Sequence, residues 1–300
     1  MPSGQTPGHV PEDRLARGVG QLPLLPGVVA ELLSLQPDAD DYFDRLVRLA
    51  ARDPPFAIRV LQCANSARSA PLAPIVSLEK AATRLGTDQC AALVLAVAVA
   101  KVFIPRTDSQ RSLWLHSLQT ALFAKRFCEA VPDLHRHRDH AYVCGLLHDI
   151  GRFVQFEGAT ADFNQIDDMH WSAPQELVEA ERSVLGYDHA LLGWHACRKW
   201  RLPDSIGEVV RHHHDRLPAT ALEKLDMVGV VQWADEVSVA VIVNGQSDVA
   251  GAQSLIQYLA TQHADIGPGS SPEEKAVWQR WIPGLRDESL QLARQVGVAR

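Results

Sequence analysis

Eleven of the thirteen histidines in this 300-residue sequence lie between His116 and His214. The tightest grouping is GLLHDIGR, in which His148 and Asp149 are adjacent near a helix end. Imidazole and carboxylate are the nitrogen and oxygen ligands that Zn, Mn, Fe or Mg take. An adjacent pair lets the imidazole bind one ion while the carboxylate bridges to a second. Other donors are spaced to join it. His116 falls in register with Leu113, Thr120, Phe123 and Phe127, and His189 shares a face with Leu192, Gly193, Ala196 and Trp200. In IGEVVRHHHD, His213 keeps core spacing with Ile206, Val209 and Val210. His214 lies one turn beyond Val210, and His212 follows Glu208 toward solvent. Asp235 lies on the line of Val228, Val231, Val239 and Ile242, where an unpaired carboxylate is strongly disfavoured and a bound cation would resolve the cost. Taken singly, an inward histidine also fits a hydrogen-bonded core residue, and Asp235 fits a cap or an arginine partner. What points to a metal site is that His116, His148, Asp149, His189, His213 and Asp235 come from five helices and all face inward. Nothing couples His195, His212 or Cys197 to this set, so they read as structural.

The elements that must position these residues are helices; almost nothing alternates with a strand period. Residues 1–20, rich in Gly, Pro and polar residues, read as a loose leader. Pro26 opens a helix through Leu35, Asp40 or Asp41 caps the next, and a third runs from about Pro55 to Asn65. Ser77 caps a short helix ending at Gly86, and Asp88 caps an apolar helix that Pro105 closes. A long amphipathic helix spans about 109–130. Others are predicted at 139–149, 174–186, 188–201, 204–214, 220–243 and 247–263, with two more in the tail. The natural division falls near Pro105, giving an N-terminal subdomain at 21–105, a metal-site domain at 106–245 and a C-terminal extension at 246–300.

Composition limits the function. With 46% apolar and 22% charged residues the chain can bury a core. Its formal charge is -7 and it lacks a dense Lys/Arg run, which argues against nucleic acid as a partner. The short Arg136, His137, Arg138 stretch reads as a solvated loop. Five scattered cysteines with no C-x-x-C pair read as buried thiols of a reducing compartment. The first twenty residues lack a signal-peptide core, and the longest apolar run, Cys90 to Ala100, is too short to span a bilayer. The expectation is a cytoplasmic protein with no membrane partner.

The order H…HD…H…HH…D resembles the HD superfamily of metal-dependent phosphohydrolases. LPLLPGVVAELLSL, LVRLAARDPPFAIRVLQCANSA, VSLEKAATRLG and LGWHACRKWRLPDSIGEVVRHHH narrow the resemblance to the HDOD family, an HD-related output domain of bacterial signalling proteins, over about residues 20–240. The resemblance implies an all-α fold, an N-terminal helical bundle packed on an HD-like core. It places the superfamily's metal positions on His116, His148, Asp149 and Asp235, and those of a second metal on His189, His213 and His214. The implied cofactor is one or two divalent ions of Fe, Mn, Zn or Mg. Many HDOD members have lost part of this set and are regarded as regulatory; here all of it is present. Two departures bear on function. DRLPAT follows the histidine triplet where a cyclic-di-GMP phosphodiesterase of HD-GYP type has its G-Y-P motif. Ser112 stands one turn before His116, where a carboxylate for a third metal would be needed.

Two functions compete. In the first the chain is a signalling regulator that contacts other signalling proteins, its metal site structural or sensing a ligand. In the second it is a metal-dependent phosphohydrolase of a nucleotide or phosphoester, with Asp149 bridging the metals and Arg152 holding a substrate phosphate. Regulation is the preferred reading, with an open coordination position as the discriminator.

Overall fold

The computed structural model describes residues 12–20, 27–35, 39–52, 54–66, 74–171, 174–215, 226–243, 284–285 and 287–299, and among these there are helices and no strands. The N-terminal bundle is organised around α6 (Thr87–Val102), a helix apolar on all sides, in which Cys90 and every residue from Leu93 to Val99 are buried. Such a helix is stable only when wrapped. The wrapping is supplied by α2 (Gly27–Leu33), α3 (Tyr42–Ala51), α4 (Pro54–Ala64) and α5 (Leu78–Leu85). Ser77 caps α5 as its sequence predicts, accepting from the Lys80 amide. Asp88 does not cap α6. Gly86, at φ 83°, turns the chain directly from α5 into α6, and Asp88 instead reaches Arg138 on the core at 3.1 Å.

The core is built on α7 (Asp108–Ala130), started by a capping box in which Thr107 and Gln110 satisfy each other's backbone amides. Against it pack α8 (Arg138–Leu147) and α14 (Met227–Val243). Behind α8 come α9 (Ile150–Gly158), α10 (Thr160–Asp167), α11 (Pro174–Leu185), α12 (His189–Lys199) and α13 (Asp204–His212). Bundle and core share one apolar interior. Phe103, at the end of α6, is fully buried against Phe153, Phe156 and Trp200, with ring centroids 5.7–6.4 Å apart. Its carbonyl accepts from Trp114 Nε1 at 2.9 Å. Burying that one ring contributes about 2 kcal/mol. Limited proteolysis should therefore not release two stable halves by cutting at residues 103–108. Two such fragments, each keeping its helix content, would contradict the shared interior.

Two features differ from the sequence expectation. Residues 12–20, expected to be a loose leader, form α1 (Glu12–Gly20), because Leu15 and Val19 give it an apolar side that docks on the core. Arg14 caps the Val184 carbonyl at 2.8 Å, and Lys199 caps that of Val19 at 2.8 Å. Residues 150–167 form α9 and α10, where no helix was predicted. Near the C-terminus residues 287–296 are helical, in the tail where helices were expected; Ala293, Val296 and Val298 join the main interior, and Arg126 pairs with Glu288. The helix predicted at 247–263 lies outside the described residues. No single described helix is long and apolar enough to cross a membrane.

Candidate metal centre

Each donor is placed by the end or the inner face of a helix. His148 follows the last residue of α8 and turns its Nδ1–H back to the Gly145 carbonyl at 2.8 Å. His213 repeats the device after α13, donating to the Val210 carbonyl at 2.9 Å. A carbonyl only accepts, so in both rings Nδ1 carries the proton and Nε2 offers a lone pair. His189 opens α12, whose start is held by the Asp188 side chain accepting from the Leu191 amide at 2.8 Å. His116 projects from α7 and donates through Nδ1 to Ser238 Oγ at 2.9 Å, and Ser238 donates onward to Gln119 Oε1 at 3.0 Å. Asp149 sits in the break between α8 and α9.

The two oxygens of Asp149 look in different directions. Oδ2 lies 3.6 Å from His116 Nε2 and 3.7 Å from His148 Nε2. Oδ1 lies 3.1 Å from His189 Nε2 and 3.5 Å from His213 Nε2. Asp235 Oδ1 completes the first group, 3.1 Å from His116 Nε2 and 3.8 Å from His148 Nε2. His214 completes the second, its Nε2 2.9 Å from that of His189. Asp149, His189, His213 and His214 thus form one group able to hold an ion, and His116, His148 and Asp149 another. With bonds of about 2.1 Å, neighbouring ligand atoms stand roughly 3.0–3.4 Å apart, the range these separations straddle. His148, Asp149, His189, His213 and Asp235 are all buried.

The electrostatics describe a centre that attracts cations. Burial opposes the charged form of Asp149, yet the charges of His148 and His189 hold its carboxyl well below the usual range. Burial likewise opposes the charge on Asp235, but its hydrogen bond to His116 and that ring's charge keep it depressed. His189 is pushed up to about 10: burial works against protonation, but Glu181 and Asp149 on its two sides outweigh it. His116 is raised against the same burial by Asp235 and then Asp149. His148 is pushed down to about 4 and His214 falls well below its usual value, chiefly through burial. Carboxylates that draw protons onto imidazoles bind a divalent ion in their place, releasing those protons. By donor type, spacing and charge, the residues fit divalent metal.

All seven residues singled out in the sequence as ligands are brought together here. Arg152, expected to hold a substrate phosphate, points elsewhere. Its side chain is 3% exposed, its Nη2 pairs with Asp167 at 2.6 Å, and its guanidinium lies over Phe163 and Trp171. The sequence reading missed Glu181, whose side chain is fully buried and whose Oε2 accepts from both the amide and Nδ1 of His189, at 2.8 and 2.6 Å. The signal was available, because Glu181 sits one turn from Leu177 and one from Leu185 on the apolar line of α11. His212 faces solvent, paired with Asp215 at 2.6 Å, as its spacing predicts.

An all-helical bundle packed on a core that gathers H…HD…H…HH…D at one centre defines a fold of the HD class. The chain matches the HDOD domain model over residues 22–216, and it belongs to that family. It is 24% identical over 223 residues to an uncharacterized protein of Treponema pallidum (strain Nichols), covering 74% of this chain. The match covers 43% of that protein, so this chain corresponds to less than half of it. Among solved structures, an HDOD domain protein from Geobacter sulfurreducens is similar with a TM-score of 0.70 at 24% identity, covering 94% of this chain and 98% of that one. A protein of Shewanella amazonensis SB2B, provisionally described as a phosphohydrolase, gives 0.71 at 20% identity, covering 95% and 98%. These likenesses establish the fold.

Proposed function

We propose that this chain is a regulator of signal transduction whose centre binds one or two divalent ions. His116, His148, Asp149 and Asp235 would hold one ion, and Asp149, His189, His213 and His214 the other. The observation that carries the regulatory reading is enclosure. The side chains of His148, His189 and His213 are fully buried, those of His116, Asp149 and Asp235 are 12%, 7% and 6% exposed, and that of His214, at the edge of the second group, is half-buried. A catalytic metal site keeps a coordination position open to substrate, whereas a closed one serves structure or sensing. Arg152, the cation nearest in sequence, turns to Asp167 and Glu181 rather than toward the histidines. Such a regulator would act by contacting other signalling proteins, with occupancy of the centre setting the rigidity of the surface presented.

The completeness of the donor set favours a second reading, a phosphohydrolase of a nucleotide or phosphoester. Ions bound there would supply Lewis acidity and an activated water. The chain's own part would be to hold both ions on Asp149 and to keep bulk water out. Either reading requires metal. Elemental analysis of protein purified without chelator is expected to find at least about one equivalent of Fe, Mn or Zn. Less than about a tenth, with no uptake on adding Mn or Fe, would remove the basis of both.

A further inference from the structure

We infer that the buried pair Glu181–Arg152 is a positioning device for one of the two metal positions, setting the affinity of the His189 side independently of the His116 side. The inference rests on the metal reading above. His189 and His116 occupy equivalent places in the two groups but lean on different partners. His116 donates through Nδ1 to a neutral hydroxyl, that of Ser238. His189 donates through Nδ1 to a carboxylate, Glu181 Oε2, at 2.6 Å, and the same oxygen accepts its backbone amide at 2.8 Å. Two bonds to one oxygen fix the ring's orientation and leave Nε2 facing Asp149. A carboxylate behind a ligating imidazole also makes it a stronger donor, so the two positions are built to differ.

Glu181 is itself held. Its side chain is fully buried, and its other oxygen, Oε1, has no hydrogen-bond partner; it faces Arg152 Nη1 at 3.6 Å. A buried carboxylate needs a counter-charge to stay where it is. Arg152 supplies it, and is fixed in turn by Asp167, which also pairs with Ser109 on the first turn of α7, and by the ring faces of Phe163 and Trp171. Glu181 thus orients a ligand, and Arg152 keeps Glu181 aimed.

Competition between a chelator and Mn or Zn, on full-length protein stripped and reloaded, tests this. Wild type is expected to take two equivalents. In Glu181→Gln one of them should weaken by about 10–100-fold while the other stays within about threefold. The weakened equivalent should be the one that His214→Ala abolishes. Arg152→Met should weaken that same equivalent. The double variant should lose no more than Glu181→Gln alone, because Arg152 acts through Glu181. Arg152→Lys, which restores the charge, should recover most of the loss. A merely structural role would lower the melting temperature of the stripped protein without separating the two equivalents. If Glu181→Gln fails to fold, Arg152→Lys carries the test and must weaken the same equivalent to a smaller degree. Two equivalents in wild type that weaken together, or not at all, overturn the inference and leave the metal reading standing. A wild type that binds no metal overturns both.

Discussion

Asp149→Asn is expected to empty at least one of the two metal positions and to lower the melting temperature of the protein as purified by on the order of 10 °C. The expectation comes from the two faces of this carboxylate. Oδ2 serves His116 and His148, and Oδ1 serves His189 and His213. An amide has one oxygen, so one group must face an NH2 that cannot ligate. Losing one member of a buried charged cluster costs about 3–5 kcal/mol, and in a chain of this size each kcal/mol is roughly 2–4 °C. Part of the difference survives stripping of metal, because His189 loses a counter-charge. The Asp149 carboxyl is held below its usual range, so that part is fully present above about pH 4 and fades as the solution is acidified further. Thermal melts of both proteins, with and without chelator, measure it. The same pair should be assayed against nucleotides, cyclic dinucleotides and a generic phosphodiester with Mn, Mg and Fe. Weak or no turnover is expected in wild type, and none on cyclic-di-GMP. Robust wild-type hydrolysis, lost in the variant without a change in melting temperature, would make the phosphohydrolase reading the primary one.

Gly151→Ala is expected to destabilise the fold by at least about 3 kcal/mol, a large effect for one methyl group. At Gly151 the helix α9 crosses the start of α12. A Cβ there would lie 1.9 Å from the His189 carbonyl oxygen, 2.7 Å from its carbon and 2.9 Å from the Gly193 amide nitrogen. All three are backbone atoms, so no side chain can swing aside and the helices must separate. The residue displaced first is His189, so metal content should fall along with stability. Gly20→Ala is the control, since a Cβ there meets nothing within 4 Å. An unchanged denaturation midpoint for Gly151→Ala would mean that α9 and α12 do not cross so closely.

Much of the centre was legible because a charged or imidazole side chain on an apolar line announces a partner. Asp235 stands out in this way beside Val228 and Val231, and Glu181 stands out in the same way on α11, between Leu177 and Leu185. It was missed because α11 also carries Glu176, Glu179 and Arg182, and against that background one more acid reads as solvated. Arg152 was misjudged for a related reason. Proximity in sequence to the HD pair says nothing of direction, and α9 turns residue 152 toward α10 and α11. The α9 helix is hard to read from the sequence because every residue from Ile150 to Phe156 is buried, Arg152 and Gln155 included, so polar residues do not mark a solvent-facing side. The docking of α1 was hidden in a Gly- and Pro-rich context, where only Leu15 and Val19 mark the apolar side.

The long separations bridged at the centre bear on how the chain holds together over time. Ser238 and His116 touch across 122 positions, and His189 and His214 across 25. An ion held by Asp235 and His116 would tie a loop of roughly a hundred residues, the span over which a covalent cross-link removes about 4–5 kcal/mol of chain entropy from the unfolded state. Unlike a disulfide, this tie would be broken by a chelator rather than by a reductant. Five buried thiols could then stay reduced while the fold kept the benefit of a cross-link. The chain's lifetime against unfolding and proteolysis would follow the metal supply rather than the redox state of its surroundings.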